Sequence, residues 1–277
     1  MQNGLYIVAT PIGNLKDITE RAIATLAEAD IVACEDTRVT KKLFSLLGLP
    51  INKPFLSLHN FNEEEKTKEV IAKIKLGKAV ALVSDAGSPL ISDPGYKLVQ
   101  QCREQGVYVT TIPGASALIS ALQLSGLPTN RFMFAGFIPN KDKARHDLFA
   151  ELQSVPATLI FYETAPRILK TLIAAREVLG EREAAVVREI TKIYEETISG
   201  PLSEVISKVE AKELKGEIVL LIAPPTEAAS LPIDLDNLIE TKLGTLSLKD
   251  AVTEIVKEYN QNKNEVYERA LKIKNKK

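Results

Sequence analysis

The sequence contains no run approaching the roughly 20 apolar residues needed to cross a bilayer, which excludes a helical membrane protein. Its first residues, Met1-Gln2-Asn3-Gly4-Leu5-Tyr6, carry neither a basic stretch nor an apolar core, so no secretory leader is expected. Cysteine is scarce. Cys34 and Cys102 form no C-x-x-C pair, which argues against zinc; they fit a reducing cytoplasm and read as small buried apolar residues. Histidine is equally scarce: His59 and His146 stand too far apart to suggest a metal site. Excess charge is lacking too. A net charge of -1 over 277 residues excludes a nonspecific nucleic-acid coat but leaves room for a local basic surface. The aromatic residues are not interleaved with basic ones, so no base-stacking platform is expected. There is no internal repeat and no low-complexity tract.

Familiar nucleotide and hydrolase motifs are missing as well. No G-x-G-x-x-G follows the first strand, no G-x-x-x-x-G-K-[ST] is present, and no G-x-S-x-G occurs. A dinucleotide Rossmann site, a P-loop NTPase and an α/β-hydrolase therefore lose their support.

What is present is an alternation of strands and helices. Leu5 to Ala9, Asp30 to Cys34, Ala79 to Val83 and Val107 to Thr111 read as strands. Helices are expected over Thr19 to Glu28, Tyr96 to Glu104, and from Ala115 onward. This pattern predicts a parallel α/β sheet, whose function lies in the loops beyond the C-terminal strand ends. The unusual loops fall there: Thr10-Pro11-Ile12-Gly13-Asn14, Ser84 to Gly95, and Pro113-Gly114. A second unit begins near Asn130, with strands over Phe132 to Phe137, Ala157 to Tyr162, Ala184 to Arg188, Thr191 to Ser199 and Glu217 to Ala223, which suggest a mixed sheet. Gly200-Pro201 opens a helix. Residues Pro224 to Pro232 have the composition of a linker; two amphipathic helices follow, over Ser247 to Tyr259 and Asn264 to Ile273, ending in Lys272, Lys274, Lys276 and Lys277.

The segment Ser84-Asp85-Ala86-Gly87-Ser88-Pro89-Leu90-Ile91-Ser92-Asp93-Pro94-Gly95 is rich in small residues that let a backbone approach a ligand closely. Asp85 and Asp93 offer acceptors for ribose hydroxyls or an ammonium group. Residues Asp85 to Ser88 read as a ligand loop, and Asp93, before Pro94, reads as a helix cap.

Taken with Tyr6 to Leu15, Glu35-Asp36-Thr37-Arg38, Pro113-Gly114-Ala115-Ser116-Ala117 and Phe161-Tyr162-Glu163, this segment resembles the motif set of the ribosomal RNA small subunit methyltransferase I family, within the tetrapyrrole methylase superfamily. The resemblance covers essentially the whole chain. It implies two α/β domains with the cofactor cleft between them, plus a small C-terminal helical appendage. It implies S-adenosyl-L-methionine as methyl donor, a homodimer, and transfer to the ribose 2'-oxygen of a cytidine in the decoding region of small-subunit ribosomal RNA. By motif, Pro11, Ile12 and Gly13 border the cofactor, as do Ala86, Gly87, Ser88 and Ile91, then Ser116 and Ala117, then Tyr162 and Glu163. The last motif departs from its common continuation Ser-Pro-His-Arg. Here it reads Thr164-Ala165-Pro166-Arg167, so Pro166 stands at the histidine position while Arg167 remains.

Methyl transfer is an in-line displacement that depends mainly on alignment. A ribose hydroxyl is a weak nucleophile until its proton is accepted, so a carboxylate is wanted. Glu35, Asp36, Glu163 and Glu189 are near strand ends, and Glu35 or Glu163 is expected closest to the acceptor; a structural ion pair is the plainer role for any one of them. Candidate phosphate contacts are Arg38 and Lys41, then Lys141, Lys143 and Arg145 in a polar loop, then Arg167 and Arg188; Lys42 and Lys192 read as surface charge. His59 reads as a satisfied loop histidine, with Phe61 beside it as a further cleft candidate. The expected domains are 1–114, 115–225, a linker 226–246 and an accessory helical element 247–277 that contacts the ribosomal particle or a partner subunit. Competing readings are a superfamily methylase acting on a tetrapyrrole or a modified histidine, a non-catalytic ribosome-assembly factor, and a nucleotide-binding regulatory module.

Overall fold

Apolar runs such as Ala79 to Val83 have no polar alternation, which suits strands covered on both faces. The computed structural model describes residues 1–59, 62–225, 235–259 and 263–274. Backbone contacts divide the chain into Met1–Pro225 and Thr226–Lys277.

The first unit holds two sheets. In the first, β1 (Gly4–Val8), β2 (Ile31–Cys34), β3 (Phe55–Ser57), β4 (Ala79–Val83) and β5 (Val109–Ile112) pair in the order β3-β2-β4-β1-β5, all parallel. Four helices cover it: α1 (Glu20–Glu28), α2 (Thr37–Leu46), α3 (Glu63–Lys75) and α4 (Tyr96–Glu104). Successive strand residues point to opposite faces. Tyr6, Val8, Val32, Cys34, Ala81 and Val83 pack with Leu26 of α1 and Phe44 of α2. Leu5, Ile31, Ala33, Val80 and Leu82 pack with Val70, Ile71 and Ile74 of α3 and with Leu98 and Cys102 of α4. Parallel pairing sends every strand's C-terminal end to one rim.

The second sheet is mixed, as its closely spaced strands suggest. It is built from β6 (Phe132–Phe137), β7 (Thr158–Thr164), β8 (Glu183–Arg188), β9 (Glu196–Pro201) and β10 (Glu217–Ile222), in the order β6-β7-β10-β8-β9. Only β6 and β7 run parallel. Helix α5 (Ala117–Leu124) covers one face, where Leu118, Ala121 and Leu122 meet Ile160, Ala185, Val187 and Leu221. Helices α6 (Asp142–Leu152), α7 (Ala165–Leu179) and α8 (Leu202–Glu210) cover the other, around Phe149, Phe161, Leu172, Val205 and Leu220. The strand expected over Thr191 to Ser199 starts later, at Glu196. The preceding stretch is a turn, with Glu189 at φ 50° and Thr191 at φ 64°, stapled by Lys192 N–H to Glu189 O at 3.0 Å and Glu195 N–H to Lys192 O at 3.1 Å. Ile193 and Tyr194 have strand propensity but sit exposed on that turn.

The second unit contains α9 (Leu235–Leu243), α10 (Leu248–Tyr259) and α11 (Lys263–Lys274), packed through Leu235, Ile239, Val252, Ile255, Val266 and Ala270. Helix α9 lies inside the 226–246 stretch that composition reads as linker: Leu235, Leu238 and Ile239 recur at helical spacing once the proline-rich part is passed. Ser247 starts α10, its hydroxyl accepting the Asp250 N–H at 3.3 Å and donating to the Asp250 carboxylate at 2.6 Å.

Phe161 is 0% exposed and meets the Phe149 ring edge-on, centroids 5.7 Å apart. Phe161→Ala is expected to cost about 3–5 kcal/mol, read as a lower midpoint in urea unfolding of the whole chain. A loss below about 1 kcal/mol would mean that this core repacks freely.

Candidate active site

Three rim loops of the first sheet are tied together by hydrogen bonds. Thr10 and Gly87 exchange hydrogen bonds, Thr10 N–H to Gly87 O at 2.8 Å and Gly87 N–H to Thr10 O at 3.1 Å. The loop after β4 is thus stitched to the loop after β1. Gly87 sits at φ 77°, and a Cβ there would stand 3.1 Å from Ile12 Cγ2, so both its backbone angle and its neighbour favour glycine. Ser88 donates to Ala115 O at 3.2 Å and draws in the loop after β5. Leu90 (φ 72°) and Ser92 (φ 68°) hold left-handed conformations costly for side-chain-bearing residues, as such sites often do.

The Ser92-Asp93-Pro94-Gly95 turn is not capped as its sequence suggests. The N-cap of α4 is Gly95. The carboxylate that closes this helix end belongs to Glu63 of α3, whose Oε1 accepts from Gly95 N–H at 2.9 Å and Lys97 N–H at 3.1 Å. Asp93 is therefore left off the helix end and faces a cavity.

That cavity measures about 350 Å³ and opens where the rim loops meet the second sheet. It lies within the range usual for small-molecule sites. The first sheet contributes Ile12, Asp85, Ala86, Gly87, Ser88, Ile91, Ser92 and Asp93, and the start of α5 adds Ser116 and Ala117. The second sheet contributes Phe137, Tyr162, Glu163, Thr164, Ile190 and the start of β10, Glu217 to Val219. Antiparallel pairing sets Val219 opposite Tyr162 and Ile218 opposite Glu163, which brings the start of β10 to the end of β7.

Ten of the sequence candidates thus meet on one wall: Ile12, Asp85, Ala86, Gly87, Ser88, Ile91, Ser116, Ala117, Tyr162 and Glu163. Pro11 and Gly13 flank the wall without lining it. A Cβ on Gly13 would come within 2.6 Å of Lys192 Cγ and 3.0 Å of Ile190 O, and Asn14 N–H bonds Thr191 Oγ1 at 3.1 Å, so this loop locks against the β8–β9 turn. Glu35 stands behind the wall. Its peptide oxygen accepts from Ser57 Oγ at 3.1 Å, while the next N–H, of Asp36, bonds Asp85 Oδ1 at 3.1 Å. Sequence reasoning missed Phe137, Ile190 and the start of β10, because only the pairing of distant strands brings them here; Thr164 simply follows Glu163 along β7.

The lining is acidic. Burial first, then the charges of Glu35 and Asp85, push the Asp93 carboxyl up to about 6, against a lowering hydrogen bond from Ser84. Burial, then Asp85 and Asp36, raise Glu35, with His59 opposing. Burial and the Asp93 charge raise the Tyr162 phenol. Glu163 is buried with both oxygens engaged: Oε1 accepts from Thr164 N–H at 2.8 Å and faces Arg167 Nε at 3.2 Å, and Oε2 accepts from Thr171 Oγ1 at 2.7 Å. Its surroundings are those of a structural anchor rather than a free proton acceptor.

The cationic candidates divide. Arg38 is 89% exposed and paired with Asp36 at 2.6 Å; Lys41 lies over the Phe55 ring, 5.4 Å from its centroid. Lys141 and Lys143 are exposed at the start of α6. The other three turn inward. Arg145 is buried against Asp142 at 2.7 Å, Arg167 bonds Ile138 O and faces Glu163, and Arg188 bonds Glu196 at 2.8 Å and Lys215 O at 3.0 Å. They hold strands and helices together, so their accessible contribution to a polyanion surface is small. Glu189 forms the ion pair that was the plainer reading, with Lys192 at 2.9 Å. His59 bonds Asn62 Oδ1 through its N–H at 2.8 Å. Phe61, Lys276 and Lys277 lie outside the described residues.

Comparison with known proteins gives a consistent result. The profile of the Tetrapyrrole (Corrin/Porphyrin) Methylases matches residues 4–206, and that of the RsmI C-terminal HTH domain matches residues 229–274. A ribosomal RNA small subunit methyltransferase I of Rickettsia prowazekii is 48% identical over 87% of this chain and 85% of its own length. The proteins of the same name from Escherichia coli O157:H7 and Erythrobacter litoralis are 42% and 49% identical, each over 98% of this chain and 95% of its own. Among solved structures, a diphthine synthase superposes with a TM-score of 0.61 at 18% identity, covering 79% of this chain and 89% of that one. A Thermus thermophilus uroporphyrin-III C-methyltransferase, complexed with S-adenosylhomocysteine, superposes with a TM-score of 0.54 at 20% identity over 79% and 97%. At these identities the structural matches establish the fold.

Gly13→Ala is expected to push the β1 loop off the Ile190–Lys192 backbone, at about 1–3 kcal/mol. Denaturation should register the loss, and amide exchange should quicken across 189–195; an unchanged exchange pattern would contradict the interlock.

Proposed function

Because this chain belongs to the ribosomal RNA small subunit methyltransferase I family of tetrapyrrole methylases, we propose that it methylates small-subunit ribosomal RNA from S-adenosylmethionine, at the ribose 2'-oxygen of a cytidine in the decoding region. The observation that carries this reading at the level of chemistry is the acidic cavity of about 350 Å³ walled by the rim loops.

The residues present fit the donor. Ala86, Gly87 and Ser88 leave room for close backbone approach, and Ile12, Ile91, Phe137 and Val219 offer apolar walls for a purine ring. Asp85, with Glu35 behind it, supplies the negative field that a sulfonium and an ammonium group call for. Ser116, Ala117 and Tyr162 complete the contact set. When bound, S-adenosylmethionine supplies a methyl carbon attached to a good leaving group. The protein's share is to hold that carbon in line with the acceptor and to keep the acceptor oxygen electron-rich. Glu163 contributes by fixing the end of β7 to α7 through Thr171 and Arg167. Glu35 contributes through the field it exerts on Asp93.

The cationic side chains at the surface, Arg38, Lys41, Lys141 and Lys143, are assigned to phosphate contacts, with the exposed Lys263, Lys272 and Lys274 of α11 adding basic charge on the accessory unit. The chain is assigned to homodimers in the cytoplasm. What supports the dimer is β6, an edge strand with exposed Phe132, Met133 and Phe137, a kind of edge that is normally covered. Among the described residues no helix is long and apolar enough to cross a membrane.

Labelled S-adenosylmethionine incubated with the protein and undermethylated small subunits should mark a ribose. Absent donor binding by calorimetry, or label transferred only to a tetrapyrrole, would overturn the assignment. In the same assay Glu35→Gln and Glu163→Gln are each expected to slow transfer at least about tenfold by disturbing field or position; full activity in both would remove them from the site. Arg38→Ala should weaken RNA binding several-fold at low salt, less so at higher salt, and leave donor affinity unchanged. Loss of donor binding would contradict its role.

A further inference from the structure

Four carboxylates line the cavity: Asp85, Asp93, Glu163 and Glu217. Three are occupied. Asp85 accepts the Asp36 N–H at 3.1 Å, Glu163 is engaged through both oxygens, and Glu217 is paired with Lys192 at 2.8 Å. Asp93 differs. Glu63 has taken over the helix end that Asp93 would have capped, which leaves its carboxylate on the wall with the Ser84 hydroxyl as hydrogen-bonding neighbour. The charged and titratable groups acting on it are Glu35 after β2, Asp85 after β4 and Tyr162 on β7; no cation acts on it among the described residues.

Resting on the methyltransferase reading above, we propose that Asp93 is the catalytic residue that accepts the proton of the ribose 2'-hydroxyl. The argument is one of availability: Glu163 has both oxygens engaged, Glu217 sits in an ion pair and Asp85 gives one oxygen to a backbone N–H, whereas Asp93 faces the cavity with neither a cation nor an N–H on it among the described residues. In the step, a lone pair of the hydroxyl oxygen forms the bond to the methyl carbon. The carbon–sulfur pair remains on sulfur, which becomes neutral, and the hydroxyl proton passes to Asp93. Asp93 then releases that proton to solvent, restoring its charge. Burial and the two neighbouring anions also make it a better acceptor than an ordinary aspartate, whose value lies near about 4. At neutral pH the group is ionised and competent. Below about 6 it becomes protonated and the rate falls with it.

The test is methyl transfer to undermethylated small subunits between about pH 5 and 9, by the wild-type chain, Asp93→Asn and Asp93→Glu, with donor affinity measured by calorimetry. The wild type should show an acid limb in kcat/KM at about 6, displaced to lower pH in kcat once the cationic donor is bound. Asp93→Asn should bind the donor within about threefold of wild type, lose about 10²–10⁴ in kcat and lose the limb; Asp93→Glu should recover part of the rate and keep a limb. The inference is overturned if Asp93→Asn keeps kcat within about twofold of wild type, or if its loss is entirely in KM for the donor. Should Asp93→Asn fail to fold, the wild-type profile decides: a flat kcat/KM across the acid range overturns the assignment. Wild-type protein that binds no donor fails the methyltransferase reading itself, an outcome distinct from a donor-binding enzyme indifferent to Asp93.

Discussion

Two backbone hydrogen bonds between Thr10 and Gly87 organise the functional end of this molecule. Parallel strands deliver their loops to one rim but do not join them. The Thr10–Gly87 exchange does so, turning two independent connections into one wall. Gly87 can occupy its left-handed angle at little cost, and without a Cβ it lets Ile12 close over it. Ser88 extends the same wall to the loop after β5 through Ala115. The rim wall of the cavity follows from this joint.

The second sheet completes the site by a different rule. Its antiparallel pairing sets the start of β10 beside the end of β7, so residues more than fifty positions apart in sequence share one wall. The tight fit of Gly13 against Ile190 and Lys192 then fixes the two sheets to each other at one corner. Half-buried arginines reinforce the frame from behind, as Arg167 does between Ile138 and Glu163. Such interior ion pairs hold geometry more than they add stability.

Much of this was legible in the sequence. Apolar runs without alternation marked the strands of the first sheet, and glycine, proline and serine clusters marked its loops, because both signals are local. The cavity residues from those loops were readable for the same reason. Three features were not. The Ser-Asp-Pro-Gly turn reads as a capped helix start, yet a carboxylate from a distant helix, Glu63, does the capping. Ile193 and Tyr194 read as strand, yet positive φ angles at Glu189 and Thr191 curl that stretch into a turn. Arg145, Arg167 and Arg188 read as surface cations, yet each finds an internal acceptor. For the Gly95 helix end, Arg167 and Arg188 the deciding partners, Glu63, Ile138 and Lys215 O, lie far along the chain, where spacing carries no information; for Arg145 and the Glu189–Thr191 turn they are local, but side-chain packing and backbone angle are not legible from residue type.

The acid lining of the cavity also bears on how a strongly negative polymer and a chain of net charge -1 meet. Glu35, Asp85 and Asp93 repel phosphate as firmly as they attract a cation. On the function proposed above, such a pocket would act as a charge sieve: a sugar–phosphate chain would be turned away from it, and only an uncharged edge of a nucleoside would enter.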